Sequence, residues 1–278
     1  MIRRGGGGDK LRLQPARPVE HTASVGSGPA AVRAVAHLVR AAERAWALTG
    51  AGVSTPSGIA DFRGPHGLWQ QADPERVSSI QGSYADPAGF YGFWIQRFQA
   101  MRAAGPNPVH GLLAWLEERG WLQGVITQNV DGLHQKAGSR TVLEIHGHVR
   151  SGTCLGCGRA HPFDWIAGRV RQQGVARCRC GGLVKPDVVL FGEELSPDFQ
   201  RAERAIDAAD LLVVLGTSLT VWPAAGLVPR AVAQGARLAI ANHEPTPYDD
   251  QADVVLRGEL LQTAHALRRL LEVGDAGG

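Results

Sequence analysis

The chain has 278 residues, with 29 basic and 26 acidic side chains for a net charge of +3, which does not indicate a dedicated nucleic-acid binder. Hydrophobic residues make up 44% and charged residues 20%, a composition that excludes wholesale disorder. No apolar run approaches the roughly 20 residues that cross a bilayer, and no apolar core of a signal peptide follows Met1. We therefore expect a cytoplasmic protein with no membrane partner and with reduced thiols.

Helix-like and strand-like segments alternate along most of the chain. The apolar spacing predicts helices over 30–44, 87–102, 108–119, 197–208, 223–234 and 259–271. Short apolar runs predict strands over 45–49, 124–127, 141–145, 187–191, 211–215, 237–241 and 253–256. Such alternation predicts an α/β fold with a doubly wound, Rossmann-like parallel sheet, whose ligands bind at the carboxyl ends of the strands.

The chain divides into one discontinuous domain, one insert and two tails. Residues 1–28 are predicted to be a disordered tail, since they are rich in Gly, Arg, Pro and Ser and lack periodicity. Residues 273–278 are predicted to be a second, short tail. Residues 29–149 and 187–272 are predicted to form the Rossmann-like domain. Residues 150–186 hold all the cysteines and little periodicity, and are predicted to form a small inserted domain.

Four cysteines stand in two short pairs, Cys154-x2-Cys157 and Cys178-x-Cys180, with twenty residues between the pairs. Two such pairs at this separation suit a tetrahedral zinc ion bound by four thiolates. A site of this kind is closed and structural, because no coordination position is left for a substrate. Two disulfides are the alternative, which a reducing compartment disfavours.

A glycine turn follows the strand predicted over 45–49. The sequence Gly50-Ala-Gly52 would let the backbone approach a pyrophosphate closely. The third glycine of the dinucleotide fingerprint is absent, since Thr55 stands there, but Ser54 and Ser57 could donate hydrogen bonds to a phosphate or a ribose instead. A bare Gly-x-Gly is also common in ordinary tight turns.

Polar residues follow the next two predicted strands. Gln128, Asn129 and Asp131 come directly after 124–127, where they could hydrogen-bond a ribose and a carboxamide or simply cap the turn into a helix. His146 follows the strand at 141–145. An imidazole is the natural general base at neutral pH, although a histidine at a strand end is more often structural.

Four motifs in this order around the cysteine module resemble the sirtuins, the NAD-dependent protein-lysine deacylases. They are GAGVSTPSGIADFRG at 50–64, TQNVDGLH at 127–134, LEIHGH at 143–148 and KPDVVLFGE at 185–193. The resemblance covers roughly 30–272, and Gly-Gly follows the last cysteine as it does in the family.

The resemblance implies a set of site residues. His146 would be the catalytic base, with Asn129 as the second catalytic residue. Val189, Phe191 and Gly192 would contact the acyl-lysine substrate. The NAD-binding residues would be Gly50, Ala51, Gly52, Ser54, Asp61, Phe62, Arg63, Gln128, Asn129, Asp131, Gly216, Thr217, Ser218, Asn242 and Glu244.

The implied reaction is NAD-dependent deacetylation of acylated protein lysines, which releases nicotinamide and O-acetyl-ADP-ribose. In the family, the acyl oxygen attacks the ribose as nicotinamide leaves, and the histidine then takes a proton from a ribose hydroxyl. Some sirtuins select acidic acyl groups with a Tyr-x-x-Arg pair. The matching stretch here is taken as Tyr91 to Trp94, with Trp in place of Arg, which predicts a preference for uncharged acyl groups because a buried carboxylate would lack a partner.

The sequence alone leaves several alternative functions open. A sirtuin fold could remove other acyl groups, transfer a single ADP-ribose or hydrolyse NAD. The glycine turn also permits an NAD-dependent dehydrogenase. Basic residues near the cysteines permit a zinc ribbon that binds nucleic acid, but no aromatic stacking platform accompanies them, so direct nucleic-acid binding is not expected.

Overall fold

The strands form two separate sheets in the computed structural model, which describes residues 24–26, 28–62, 64, 67–70 and 72–275. In chain order the strands are β1 (Ser24–Gly26), β2 (Ala45–Thr49), β3 (Gly124–Thr127), β4 (Val142–Glu144), β5 (Gly147–Cys154), β6 (Ala160–Pro162), β7 (Val184–Val188), β8 (Leu211–Leu215), β9 (Arg237–Ala241) and β10 (Val254–Leu256).

Ten α-helices are described among these residues. They are α1 (Pro29–Ala41), α2 (Pro74–Ser78), α3 (Ile80–Ala85), α4 (Pro87–Ala103), α5 (Pro108–Glu118), α6 (Leu133–Ala137), α7 (Phe163–Gln173), α8 (Pro197–Asp207), α9 (Leu227–Ala233) and α10 (Leu260–Asp275). Five of them begin at a proline, whose fixed φ and missing N–H suit the first helical position. None of the described helices is long and apolar enough to cross a membrane.

The main sheet has seven parallel strands in the order β1-β10-β9-β8-β2-β3-β4. Successive residues of its strands enter cores on opposite faces. Val125 and Val213 lie in the cluster covered by α1, α5 and α10, whereas Ile126 and Val214 lie in the cluster covered by α8 and α9. Both faces are therefore buried, which confirms the predicted doubly wound α/β sheet.

The second sheet is small and antiparallel, with the order β6-β5-β7. Helix α7 packs on it through Phe163, Ile166 and Val170. The same core contains Phe90 and Trp94 of α4, so a helix from the first half of the chain covers the insert. The cysteine-bearing insert thus shares a hydrophobic core with α4 and also holds a candidate metal site.

The insert departs from the sequence prediction in two ways. Helix α7 was not predicted, although Phe163, Ile166 and Val170 have helical spacing, because glycines and cysteines on either side masked the pattern. The run 187–191 was predicted to be a buried strand, but β7 ends at Val188 and pairs in the small sheet. Residues 147–149 and 187–188, assigned to the large domain from the sequence, are likewise strand residues of the small sheet.

The predicted tails also differ in part from the structure. Ser24–Gly26, predicted to be disordered, form β1, which pairs with β10 and is itself an edge strand of the main sheet. Three residues are too few to show a periodic pattern, and the partner strand supplies the hydrogen bonds. Helix α10 continues to Asp275 instead of ending at 271. The other tail residues, 1–23, 27 and 276–278, lie outside the described residues.

Candidate active site

The predicted site segments follow five strands of the main sheet. Gly50 follows β2, Gln128 follows β3, Gly216 follows β8 and Asn242 follows β9. His146 lies two residues after β4. Because the strands are parallel, all of these carboxyl ends lie along one edge of the sheet. The fold therefore brings together segments that are nearly 200 residues apart in the chain.

The glycine turn packs directly against the loop after β8. The backbone N–H of Gly52 donates to the oxygen of Gly216 over 2.9 Å. A Cβ atom added to Gly50 would lie 2.6 Å from the Cβ of Thr217, and one added to Gly52 would lie 2.9 Å from the Cα of Gly216. Gly216 itself has a φ of +61°. These glycines are required where the two loops meet, a reason that the sequence alone did not supply.

Ser54 joins the two polar residues of the following motif. Its hydroxyl donates to Asp131 Oδ2 over 2.7 Å and accepts from Asn129 Nδ2 at 3.1 Å. The Asn129 amide also donates to the oxygen of Gly50 over 3.0 Å. All three side chains are at most 8% exposed. The structure thus brings together Ser54, Asn129 and Asp131, which the sequence placed in one site.

Asp131 is held by further contacts. It also accepts the backbone N–H of Leu133 over 2.8 Å. Burial raises the pKa of Asp131, against the opposing effect of these hydrogen bonds. Two of its acceptor positions are therefore occupied, and the motif is fixed in one conformation before any ligand is bound.

A buried histidine that the sequence analysis did not single out supports this network. His110 is fully buried on α5, and its Nδ1 accepts the backbone N–H of Asn107 at 3.3 Å. Its Nε2 must then carry the proton, and that atom lies 3.4 Å from Ser54 Oγ. Burial lowers the pKa of His110 to about 4. The Asn-x-x-His spacing of a capping box at the start of α5 was the available signal.

A second buried histidine lies beside the first. The ring of His134 is 4.9 Å from that of His110, and its Nε2 lies 3.0 Å from Thr49 Oγ1. Burial, and then the neighbouring His110, lower the pKa of His134 to about 3. Both imidazoles are therefore neutral at pH 7. His110 lies against Ser54 of the site, and His134 packs against His110.

His146 has the geometry of a general base. Its Nδ1 lies 3.1 Å from the backbone oxygen of Gln128. A carbonyl oxygen can only accept, so Nδ1 carries the proton and Nε2 keeps its lone pair. Burial lowers the pKa of His146, although the hydrogen bond to Gln128 opposes this effect. The side chain is half-buried and is neutral at pH 7.

Gln128 links His146 to the loop after β8. Its side-chain amide donates to Thr217 Oγ1 over 3.0 Å, while its backbone oxygen holds His146. Ser218 Oγ lies 2.9 Å from Thr220 Oγ1. The Asn242 amide donates to the backbone oxygen of Glu244 over 2.8 Å, so Asn242 and Glu244 share one turn at the end of β9.

The remaining part of the first motif lies close to two tryptophans, one of which is in α4. The Phe62 ring is 5.1 Å from Trp69 and 6.3 Å from Trp94. Asp61 accepts the backbone N–H of Gly64 over 3.1 Å. Ala51 opens a short 3-10 helix, Ala51–Val53. Arg63 lies outside the described residues.

The predicted substrate segment begins beside His146. The backbone N–H of Val189 donates to the oxygen of His146 over 2.8 Å. Phe191 is hydrogen-bonded through both backbone groups, to Ser78 and to Ile80, and its side chain is 42% exposed. Gly192 has a φ of +88°. The segment is therefore held between His146 and the start of α3.

The stretch considered for acyl selection is buried. Tyr91 is 1% exposed and its hydroxyl donates to the oxygen of Val184. Trp94 is 5% exposed and donates its indole N–H to the oxygen of Val77. The guanidinium of Arg97 lies over the Phe93 ring, 3.9 Å from its centre. Neither Tyr91 nor Trp94 has a free polar group for an acidic acyl chain.

The four cysteine sulfurs converge at the end of the small sheet, all within 4.8 Å of one another. Cys154 and Cys180 have sulfurs 3.5 Å apart, and those of Cys157 and Cys178 are 3.8 Å apart. A disulfide needs about 2.05 Å, whereas zinc–sulfur bonds of about 2.3 Å place tetrahedral ligands roughly 3.8 Å apart. The four thiols fit a structural zinc ion, and the single spacer before Cys180 does not prevent it.

A glycine beside the sulfurs makes this arrangement possible. A Cβ atom added to Gly182 would lie 2.8 Å from the sulfur of Cys154 and 3.0 Å from the backbone N of Gly156. The oxygen of Gly182 accepts the N–H of Cys178 over 2.8 Å. Gly182, the second glycine after the last cysteine, is therefore part of the metal-site framework.

The family model described as "Sir2 family" matches residues 50–223. Three relatives carry the name NAD-dependent protein deacetylase. One from Sulfolobus acidocaldarius is 45% identical, over 80% of this chain and 88% of that protein. One from Cutibacterium acnes is 44% identical, over 84% and 96%, and one from Thermotoga maritima is 41% identical, over 82% and 92%.

Two solved structures show the same fold with ligands. A Sir2 variant with deacetylated p53 peptide and 3′-O-acetyl ADP-ribose has a TM-score of 0.84 and 36% identity, and the match covers 86% of this chain and 98% of that one. Sir2 with p53 peptide and NAD+ has a TM-score of 0.81 and 38% identity, covering 88% and 99%.

Proposed function

The chain belongs to the Sir2 family, and we propose that it is an NAD-dependent protein-lysine deacetylase that releases nicotinamide and O-acetyl-ADP-ribose. The relatives named above support this activity, as do the related structures with NAD+ and with acetyl ADP-ribose. The observation in this chain that carries the proposal is His146, a neutral imidazole with a free Nε2 at the edge of the sheet.

His146 is proposed as the general base. Its Nδ1–H is fixed by the Gln128 oxygen, so the ring presents Nε2 as the proton acceptor. Bound NAD supplies the ADP-ribose that accepts the acyl group, with nicotinamide as the leaving group. His146 would take a proton from a ribose hydroxyl at Nε2. The low pKa of His146 keeps that atom unprotonated at neutral pH.

Asn129 and Asp131 are proposed to bind the nicotinamide ribose. Asn129 uses its amide N–H groups on Gly50 and Ser54, which leaves its side-chain oxygen as an acceptor for a ligand. Asp131 is proposed to accept a ribose hydroxyl, with Ser54 holding its other oxygen. Asn129 is thus the second proposed catalytic residue, acting on ribose orientation.

The other proposed NAD contacts lie along the same edge of the sheet. They comprise the glycine turn, the loops after β3, β8 and β9, and the 61–63 segment: Gly50, Ala51, Gly52, Ser54, Asp61, Phe62, Arg63, Gln128, Gly216, Thr217, Ser218, Asn242 and Glu244. We propose that Gly50, Gly52 and Gly216 act chiefly by letting these loops meet, since added Cβ atoms would clash with the facing loop.

Acetylated protein lysines are the proposed substrates. Val189 lies against His146, and the exposed Phe191 and Gly192 continue that segment outward, so we propose that these three residues bind the acyl-lysine. The buried polar groups of Tyr91 and Trp94 favour uncharged acyl chains over acidic ones.

The zinc ion is proposed to be structural. Four thiolates fill a tetrahedral shell and leave no open position for chemistry. We propose 29–149 with 187–272 as the NAD-binding domain and 150–186 as the zinc domain. Free cysteines throughout the described chain support a cytoplasmic location, where thiols stay reduced. Nucleic acid is not proposed as a substrate.

Mass spectrometry of one reaction tests this function against its alternatives. An acetyl-lysine peptide is incubated with NAD and the purified protein. A deacetylase yields deacetylated peptide, nicotinamide and O-acetyl-ADP-ribose together. An NAD hydrolase would give nicotinamide and ADP-ribose with the peptide unchanged, a transferase would add ADP-ribose to protein, and a dehydrogenase would produce NADH. Any of these three patterns without deacetylated peptide contradicts the proposal.

A further inference from the structure

The zinc domain has a charge opposite to that of the rest of the chain. Residues 150–186 contain six arginines and one lysine but only one acidic residue, Asp164. The surplus is six positive charges, whereas the remaining residues together have three more acidic than basic side chains. The small net charge of the whole protein therefore hides a strongly basic domain.

Part of this charge is neutralised within the protein. Arg150 forms an ion pair with Glu144 at 2.5 Å, and Lys185 pairs with Glu193 at 3.0 Å. Four exposed arginines have no acidic partner among the described residues: Arg159, Arg171, Arg177 and Arg179. An exposed arginine without a partner is able to bind a carboxylate through two parallel hydrogen bonds.

Three of these arginines lie next to the candidate metal site along the chain. Arg177 and Arg179 flank Cys178, and the backbone oxygen of Arg159 accepts the N–H of Cys154 over 2.9 Å. We call Arg159, Arg177 and Arg179 the zinc-end arginines.

The thiolates of the metal site would not neutralise the positive charge of all the zinc-end arginines. A zinc ion with four thiolates carries two negative charges, which offset two of the three positive charges. No arginine donates to a sulfur among the described hydrogen bonds, and Arg177 donates instead to the oxygen of Gly181 over 3.1 Å. A net positive surface therefore remains at the zinc end and faces solvent.

We propose that the zinc end docks an acidic segment of the substrate protein, at a distance from the acyl-lysine. This inference rests on the proposed deacetylase function. Strand β5 runs for eight residues from Gly147, next to His146, to Cys154 at the metal site, a length of roughly 23 Å at the usual rise per residue. An extended substrate would bridge that distance with about seven residues.

A short acidic segment fits better than a nucleic acid. A long polyanion would extend past the zinc end onto a large domain that carries an excess of acidic residues, where it would be repelled. Three arginines also match a short acidic run in number. Guanidinium groups suit planar carboxylates, and a segment of this kind adds affinity without entering the catalytic site.

The test uses two pairs of acetyl-lysine peptides, and the members of each pair differ only in their distal charge. Seven neutral residues separate the acetyl-lysine from a block of four residues, which is four Asp in one member and four Asn in the other. The block follows the acetyl-lysine in one pair and precedes it in the other. We expect the Asp block on one side to lower KM about five-fold with kcat unchanged. The difference should vanish at 0.5 M NaCl.

Arg179→Glu should remove most of this preference, and Arg33→Glu is the matched control. Arg33 is exposed on α1 and the substitution changes the net charge equally. Binding of the fluorescent Asp peptide without NAD, measured by anisotropy, gives a readout besides activity. Zinc content of both variants confirms that the metal site is intact.

The outcomes separate the two proposals. If none of the peptides is deacetylated, the proposed function fails. If the peptides are deacetylated but the Asp and Asn members have equal KM at low salt in both pairs, the function stands and the docking surface is contradicted. An equal effect of Arg33→Glu and Arg179→Glu leads to the same conclusion. Tighter binding of a random 20-base-pair DNA duplex than of the Asp peptide would assign the surface to nucleic acid and overturn the proposal.

Discussion

The imidazole Nδ1 of His146 and the backbone oxygen of Gln128 are 3.1 Å apart. This one contact fixes the tautomer of the histidine, because a carbonyl oxygen can only accept. It also links the proposed base to the loop after β8, since the side chain of Gln128 donates to Thr217. The proton-accepting atom and the NAD-binding loops are thereby positioned by the same residue.

The pH dependence of turnover follows from the pKa of His146. Burial lowers that pKa below the ordinary histidine value of about 6.5, and the base must be unprotonated to act. The acid limb of kcat/KM for an acetyl-lysine peptide should therefore lie below pH 6.5. Stopped assays between pH 4.5 and 9 measure it, with a limb at or above pH 7 as the contrary result.

Ser54→Ala should impair NAD binding more than it impairs folding. The substitution leaves Asp131 Oδ2 and one Asn129 N–H without their shared partner. Each such loss costs about 1–3 kcal/mol when the groups stay dry. We expect a rise of at least ten-fold in the KM for NAD. Ser57→Ala is the control, because the Ser57 hydroxyl contacts only Asn107 in the described hydrogen bonds. Equal effects of the two substitutions would argue against the network.

Gly182→Ala should weaken zinc binding, whereas Gly181→Ala should not. An added Cβ at 182 would lie 2.8 Å from the Cys154 sulfur, but at 181 it meets nothing within 4 Å. Gly181 has a φ of +88°, so its substitution costs only about 1–2 kcal/mol of backbone strain. Zinc per chain and the reactivity of the four thiols toward Ellman's reagent distinguish the variants. Full zinc content in Gly182→Ala contradicts the account.

Acid should destabilise the protein through its two buried histidines. The pKa values of His110 and His134 are about 4 and about 3 when folded, against about 6.5 unfolded. Between pH 6.5 and 4 the unfolded chain therefore binds more protons, and the free energy of unfolding falls as pH falls, by up to 1.4 kcal/mol per pH unit for each histidine.

His110→Gln isolates one of these contributions. Gln does not titrate. The slope of the free energy of unfolding against pH should therefore decrease between pH 6.5 and 4, by up to the 1.4 kcal/mol per pH unit that corresponds to one bound proton. Urea denaturation at several pH values from 4.5 to 7.5 measures the slope in both proteins. An unchanged slope would mean that His110 is not the group that resists protonation.

The main sheet was predictable because most residues of its central strands are buried. Strands β2, β3, β8 and β9 have the predicted bounds, since each is a short, mainly apolar segment that is followed by a glycine or a polar residue. The motif residues Ser54, Asn129 and Asp131 were also placed in one site from the sequence, because parallel strands end at a common edge.

Other features depend on contacts that no local pattern encodes. The role of Gly52 comes from Gly216, more than 160 residues away. His110 acts through Ser54 on a different loop. Helix α7 has a clear apolar spacing, but it lies between metal loops whose composition suggested an irregular segment. β1 forms because β10 provides backbone hydrogen-bond partners for it, and not because its own sequence has a strand pattern.

We propose His146 as the base of an NAD-dependent deacetylase. Single-turnover product analysis of two histidine variants is the direct test of this role. His146→Ala and His148→Ala are mixed with NAD and an acetyl-lysine peptide. We expect O-acetyl-ADP-ribose formation to fall at least 100-fold in His146→Ala, while NAD binding is retained. In His148→Ala, product formation should stay near the rate of the unmodified protein. Normal product formation by His146→Ala would contradict the assignment.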